Sequence, residues 1–131
     1  PRMTRFWITL EQGVNFVLAC LKKMVGGELF VPKLPSMNIM DLAKVIAPEC
    51  KTKIIGIRPG EKLHELMITK DDARRTLEFK DHYMIQPDFY FWKRRYNHNA
   101  GKPVPEDFEY SSDNNPQKLS LTEMRKIIDN L

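Results

Sequence analysis

Arg58 and Glu61 flank Pro59-Gly60, and this is the stretch of the chain whose residue types and spacing could do chemistry. Pro presets the backbone for the second position of a turn, and Gly supplies the positive φ required at the third position of a type II turn. Pro59 also pushes Arg58 into an extended conformation. The turn brings its first and last residues together, so a guanidinium and a carboxylate stand side by side on a stiff backbone. Such a pair suits an anion that also carries hydroxyls, such as a nucleotide. Arg forks onto phosphate oxygens, and a carboxylate accepts hydrogen bonds from ribose hydroxyls. The other reading is a surface ion pair flanking a turn, which contributes little. Spacing alone leaves both open. His64, three residues beyond Glu61, either lines the same pocket or is a structural histidine.

Recognisable catalytic sets are missing. No tyrosine is followed four residues later by lysine, and neither Gly-x-Gly-x-x-Gly nor a nucleophile elbow occurs. Gly56 to Lys62 looks like a P-loop, but it is one residue short and lacks the Ser or Thr after its lysine. His64, His82 and His98 are too scattered to announce a metal site.

The elements that must position the turn are set by periodicity. Ile54 to Ile57 is a short, β-branched run that reads as a buried strand leading into the turn. Thr9 and Gln12 form a capping box opening a helix from Leu10 to about Met24, with Val14, Val17, Leu18 and Leu21 as its apolar stripe. Glu28 to Val31 reads as a strand, and Asn38-Ile39 as a brief pairing segment. Asp41 to Ala47 reads as a short helix with Leu42, Val45 and Ile46 inward. Leu66 to Ile68 is short and apolar, and Thr69 caps a brief helix through Arg75. Thr76–Phe79 and His82–Ile85 flank Lys80-Asp81 as a hairpin. Residues 97–115 read as an extended, tail-like polar loop. Ser120 and Glu123 cap a last helix with Leu121, Met124, Ile127 and Ile128 on one face. The fold class is α/β (mixed), with short strands and helices.

Composition bounds the partners. The 131 residues suffice for one modest domain, and 42% hydrophobic with 29% charged residues is an ordinary globular balance. A net charge of +4 is mild and fits an anionic small molecule as well as nucleic acid. Cys20 and Cys50 read as buried free thiols in a reducing, cytoplasmic compartment, and no run approaches membrane-spanning length. Phe89, Tyr90, Phe91, Trp92 and Tyr96 interleave with Lys93, Arg94 and Arg95. That mixture is found on single-strand nucleic-acid surfaces, and equally in segments packed on a core or a subunit interface. A stand-alone protein- or nucleic-acid-binding or oligomerisation module built on this segment is the alternative function. Nucleic acid is the less favoured partner, because no nucleic-acid motif accompanies the run. Pro1 to Arg5 gives no clear start context, as expected of an excised piece or of a product that has lost its Met.

Arg2-Met3-Thr4-Arg5-Phe6-Trp7-Ile8, Gly27-Glu28-Leu29-Phe30-Val31-Pro32-Lys33 and Ile55-Gly56-Ile57-Arg58-Pro59-Gly60-Glu61-Lys62-Leu63-His64-Glu65 together carry a specific resemblance. The chain resembles the C-terminal region of bacterial UDP-N-acetylglucosamine 4,6-dehydratases, extended short-chain dehydrogenase/reductases of the polysaccharide-biosynthesis group. That group includes the inverting enzymes, the favoured type, and the sequence leaves inversion or retention at C5 open. It runs from residue 2 to about residue 87, and more weakly from Tyr110 to Leu131. It implies a parent whose Rossmann domain holds NADP, oxidises the sugar at C4, eliminates water across C5 and C6, and returns the hydride to C6. It further implies that the C-terminal region grips the UDP moiety. Arg58 matches the diphosphate-binding arginine and Glu61 the ribose-binding acid. Arg5 matches a second basic contact near the phosphates, and Met3 and Thr4 line the substrate pocket. The implied organisation is a UDP-sugar-binding α/β region over 1–87, an aromatic/basic segment and polar loop over 88–118, and a docking helix over 119–131. The Rossmann fingerprint and the catalytic Tyr and Lys lie outside this chain. It is therefore expected to hold no cofactor and to be catalytically silent alone. Its implied partners are a UDP-sugar, the parent's Rossmann domain and, in the intact enzyme, further copies of itself.

Overall fold

Side-chain caps set where the helices begin. In the computed structural model, which describes residues 1–89 and 101–130, Thr9, Thr69 and Ser120 each accept from the N3 backbone N–H. Gln12, Asp72 and Glu123 each reach back to the cap. These capping boxes satisfy N–H groups that a helix start leaves without partners. They open α1 (Leu10–Lys23), α3 (Lys70–Ala73) and α4 (Leu121–Asp129). Asn38 caps α2 (Ile39–Ile46) by accepting from Met40 N.

The chain divides into two compact units that interleave in sequence. The first comprises Pro1–Trp7, Leu34–Leu66 and Ser111–Leu131; the second comprises Ile8–Lys33 and Met67–Tyr110. In the first unit β1 (Thr4–Phe6) pairs antiparallel with β3 (Ser36–Asn38), in the register Thr4 to Asn38 and Phe6 to Ser36. Ser36 is also held by the returning C-terminal segment: its N–H donates to Gln117 O at 2.8 Å, and its carbonyl accepts from Leu119 N at 2.9 Å. Behind the strand pair, α4 lies on α2. Met37, Val45 and Met124 are buried there, with Trp7, Ile39, Leu42, Leu119 and Ile128 packed around them. The last helix therefore docks as its amphipathic pattern demands. Val45 and Met124 point inward as expected, whereas Ile46 and Leu121 face out.

The second unit is built on a four-stranded antiparallel sheet in the order β2 (Leu29–Pro32), β6 (His82–Ile85), β5 (Thr76–Glu78) and β7 (Lys102–Pro103). The expected hairpin is its centre. All four residues of β6 are buried. The remaining strands, β4 (Leu66–Ile68) and β8 (Tyr110–Ser111), carry the chain from one unit into the other. His82 is enclosed by aromatic rings. It stacks on Phe79 with centroids 4.7 Å apart, with Phe30 at 5.7 Å and Phe16 of α1 at 6.3 Å. Its Nδ1 lies 2.7 Å from Asp81 Oδ1, and this hydrogen bond holds the Asp81 carboxyl below the usual range.

Tyr83 packs between Phe108 and Tyr110, with Lys33 Nζ 4.9 Å from its ring centre. Burial, reinforced by the negative charge of Glu78, pushes its phenol up to about 12. An unfolded tyrosine ionises near 10. Between roughly pH 10 and 12 the unfolded chain therefore loses a proton that the folded chain keeps, and stability falls as pH rises. Alkaline denaturation should show a loss of about 2 kcal/mol across this window that Tyr83→Phe lacks. Identical slopes for the two proteins would refute it.

Several expectations are corrected. Ile54 to Ile57 is not a buried strand. It lies in an open segment with Ile54, Ile55 and Ile57 at 57%, 70% and 56% exposure. A short apolar run shows a wish for cover without naming the cover, and no strand among the described residues pairs with it. The apolar stripe of α1 faces outward: Val14, Val17, Leu18 and Leu21 are all exposed, and the helix meets its sheet through Phe16. The supposed tail-like loop is partly ordered, since β7 and β8 fall within it and Tyr110, Ser111, Ser112 and Asn115 are buried. Cys50 is exposed and Cys20 only partly buried, although both are free thiols. The aromatic and basic residues from Tyr90 to Tyr96 lie outside the described residues.

Candidate functional site

The turn closes as its residues dictate. Glu61 N donates to Arg58 O at 3.0 Å, and Gly60 sits at φ +80°, the value a type II turn asks of its third residue. The Glu61 carboxylate, however, does not pair with the Arg58 guanidinium. Its Oε2 accepts from the Arg58 backbone N–H at 3.0 Å. Backbone and side chain of Glu61 thus lock the turn from both ends, and Oε1 has no partner among the described residues. Among the described residues no ion pair engages the Arg58 guanidinium. Both side chains are exposed, so this is a presented charge and not a surface salt bridge.

The segment after the turn is clamped. Thr4 N donates to Leu63 O at 3.1 Å, extending β1. Arg5 Nη1 donates to Thr4 O at 2.7 Å and to Leu63 O at 3.2 Å, and Nη2 donates to Lys62 O at 2.8 Å. Arg5 Nε lies 3.3 Å from Glu65 Oε1. The fork geometry of guanidinium allows one side chain to bind several carbonyls at once. Most of the donors of Arg5 are therefore spent on residues 62–65, and one N–H of Nη2 remains without a partner among the described residues. Met3 is tied in by its carbonyl, which accepts from Ile39 N at 3.0 Å.

A second set of contacts completes the clamp. Thr4 Oγ1 is 2.7 Å from His64 Nδ1 and 2.6 Å from Ser112 Oγ. Ser112 is fully buried. Its Oγ accepts from Glu65 N at 2.9 Å, and its own N–H donates to Glu65 O at 2.8 Å. His64 Nε2 faces Asp113 Oδ2 at 3.9 Å. A hydrogen bond from Ser111 Oγ to Asp113 holds that carboxyl below its usual range. His64 is thus a positioned loop histidine. Ser112 and Asp113 escape any reading of the sequence, because Ser112 lies 108 residues from Thr4 and no spacing rule joins them.

The arrangement presents one exposed cation and one exposed carboxylate on a rigid turn whose base is anchored. It offers hydrogen-bond donors and acceptors to an anion, and nothing in it resembles a nucleophile with its base. No cluster of three or more His, Cys, Asp or Glu able to hold a metal occurs among the described residues. A phosphate-cradling glycine loop leads into a helix N-terminus, whereas Gly56 and Gly60 lie in an open loop followed by coil and then β4. The cleft of about 490 Å³ in the second unit is a weaker candidate. Its Arg75 is already held by Asp72 at 3.2 Å and Asp88 at 2.8 Å.

Comparison with known proteins places the chain in a family. Residues 1–87 match the model of a family described as polysaccharide biosynthesis protein. The chain belongs to that family. The match covers the turn, both arms of Arg5's clamp and His64. Over 133 aligned residues the chain is 52% identical to the UDP-N-acetylglucosamine 4,6-dehydratase (inverting) of Campylobacter jejuni, covering 97% of this chain and 40% of that protein. It is 31% identical to the UDP-glucose 4-epimerase of Rickettsia canadensis, covering 98% of this chain and 39% of that one. The solved structure of Pen from Bacillus thuringiensis matches with a TM-score of 0.81 at 30% identity, over 98% of this chain and 39% of that one. The family resemblance and the mixed α/β fold expected from the sequence are both found. The chain spans about two fifths of the length of these relatives. No described helix is long and apolar enough to cross a membrane.

Proposed function

We propose that this chain is the UDP-sugar-binding portion of a nucleotide-sugar 4,6-dehydratase acting on UDP-N-acetylglucosamine in bacterial surface-glycan biosynthesis. The observation that carries the reading is the Arg58–Glu61 turn, with its exposed guanidinium and its locked backbone. Arg58 forks onto the diphosphate. The free Oε1 of Glu61 accepts from the ribose hydroxyls while Oε2 keeps the turn closed. Arg5 holds the base of the loop and offers its remaining N–H toward the phosphates. Met3 and Thr4 line the sugar side, Thr4 with its hydroxyl already fixed by His64 and Ser112. The name of the Campylobacter relative supports the substrate, and the lengths of the relatives support a larger parent. In this reading a Rossmann portion of that cytoplasmic, oligomeric parent carries NADP, which supplies the hydride chemistry when bound. The residues of this chain bind and orient.

Titration calorimetry of UDP with the intact parent tests the proposal. A charge-assisted, forked phosphate contact is worth about 1.5–3 kcal/mol. Arg58→Ala should therefore weaken UDP roughly 10- to 100-fold, with Arg58→Lys recovering only part of the loss because it cannot fork. Unchanged affinity in Arg58→Ala would sink the assignment.

A further inference from the structure

The hydroxyl and ring groups around Thr4 leave their hydrogens one consistent placement. Ser112 is fully buried, at 0% exposure, so its hydroxyl hydrogen needs an acceptor. Its Oγ already accepts from Glu65 N at 2.9 Å, and Thr4 Oγ1 at 2.6 Å is its other side-chain partner. A backbone N–H cannot accept, so the Ser112 hydrogen goes to Thr4 Oγ1. The single hydrogen of Thr4 must then point elsewhere, and His64 Nδ1 at 2.7 Å is the remaining partner. Either Thr4 donates to a bare Nδ1, or an Nδ1–H donates to Thr4 and the Thr4 hydrogen is left without a partner among the described residues. Asp113 decides between the two. Its Oδ2 lies 3.9 Å from His64 Nε2, too far for a direct hydrogen bond. Its charge still repels a nitrogen lone pair and favours an N–H there. The group facing one ring nitrogen of a histidine fixes the state of the other, so Nδ1 is bare. Donation therefore runs in one direction, from Glu65 N–H to Ser112, from Ser112 to Thr4, and from Thr4 to His64 Nδ1, with Nε2–H toward Asp113.

We propose that His64, Ser112 and Asp113 are positioning residues that make the Thr4 hydroxyl a fixed acceptor toward the sugar. This role rests on the reading of Thr4 as a lining residue of a UDP-sugar site. A threonine hydroxyl has one hydrogen and two lone pairs, and it ordinarily rotates to suit its partner. Here the hydrogen is committed to His64 and one lone pair to Ser112, so a single lone pair is left. Thr4 then takes a hydrogen bond from a sugar hydroxyl or an amide N–H, and it has no hydrogen to give to a carbonyl or ether oxygen. Three separate parts of the chain enforce this polarity: β1 supplies Thr4, the loop after the turn supplies His64, and the segment following β8 supplies Ser112 and Asp113.

Side-chain nitrogen NMR of the intact parent, labelled with ¹⁵N-histidine, tests the proton placement. The His64 signals are assigned by their absence in His64→Asn. A bare Nδ1 and a protonated Nε2 are expected, and Asp113→Asn should bring in a population with Nδ1 protonated. Protonation of Nδ1 in the unsubstituted protein, alone or together with Nε2, overturns the proposal. A His64 signal identical in Asp113→Asn overturns the role of Asp113. Steady-state kinetics with UDP-N-acetylglucosamine test the consequence. Thr4→Val, which removes the acceptor at nearly constant shape, should lower kcat/KM about tenfold, and Thr4→Ser, which restores the hydroxyl, should recover most of it. Equal losses in the two variants overturn the proposal, since the hydroxyl would then go unused. These outcomes are separable from the UDP reading: UDP binding indifferent to Arg58→Ala would sink that reading and leave the His64 signals as they are, whereas a protonated Nδ1 would sink this role alone.

Discussion

Arg5→Ala is expected to cost about 2–3 kcal/mol of stability, most of it read locally at residues 62–65. The figure comes from what the guanidinium does. It donates to three backbone carbonyls at 2.7–3.2 Å and pairs with Glu65 at 3.3 Å. Hydrogen bonds from a charged donor contribute about 1.5–3 kcal/mol each when buried. Here the side chains of Arg5 and Glu65 are 22% and 39% exposed, so water replaces part of the loss and the summed value is cut. Arg5→Lys keeps the charge, but a point ammonium cannot reach carbonyls of Thr4, Lys62 and Leu63 together. It should recover less than half. Hydrogen exchange provides the test. The Thr4 amide, which donates to Leu63 O, should exchange faster in Arg5→Ala, while the amides of β5 and β6 should not change. UDP affinity should fall by less than in Arg58→Ala, because the turn closes on its own contacts and Arg5 offers the phosphates a single N–H where Arg58 offers its fork. Unaltered exchange at Thr4 would show that Arg5 does not anchor the loop.

The helix starts were legible because a cap is a local device. Thr9 with Gln12 and Ser120 with Glu123 are readable within four residues, and the hairpin over 76–85 is equally local. The turn at 58–61 was legible for the same reason, down to the sign of φ at Gly60. The partners of its side chains were not. Whether Glu61 pairs with the guanidinium or with the backbone N–H of Arg58 depends on rotamers that residue type does not specify. Facing was the other failure. An apolar stripe says that a surface wants cover, and in α1 the richest stripe is the uncovered one while Phe16 at its edge meets His82. Ile54 to Ile57 misled in the same way. In both cases apolar periodicity reports that a surface is apolar and not which surface, if any, it meets. The Thr4–Ser112 and Leu34–Asn115 contacts were hidden for a different reason: they join residues that only the completed fold brings together.

Met124→Ala should be the most destabilising single change in the first unit, at about 3 kcal/mol within the roughly 2–5 kcal/mol usual for such truncations. Met124 is 1% exposed and touches Met37 and Val45 inside a ring that includes Trp7, Ile39, Leu42, Leu119 and Ile128. Truncation loses the transfer free energy of the thioether chain and leaves a void. Those neighbours are partly exposed and can settle inward, which keeps the value out of the upper end. Leu121→Ala removes a similar apolar mass from the same helix, but Leu121 is 48% exposed and should cost under about 0.5 kcal/mol. Met124→Leu, nearly isosteric, should stay within about 1.5 kcal/mol. Urea midpoints of the three variants at constant slope separate these cases, and a Met124→Ala loss no greater than that of Leu121→Ala would refute the placement of the core. The consequence reaches the site through connectivity. A helix as short as α4 is marginal in isolation, so Met124 is its principal anchor. The segment leading into α4 supplies the Gln117 and Leu119 backbone bonds that hold Ser36. Ser36 in turn pairs with Phe6 in the strand that carries Thr4 and Arg5. Loosening α4 should therefore raise exchange at Phe6 before it raises exchange anywhere in the second unit's sheet.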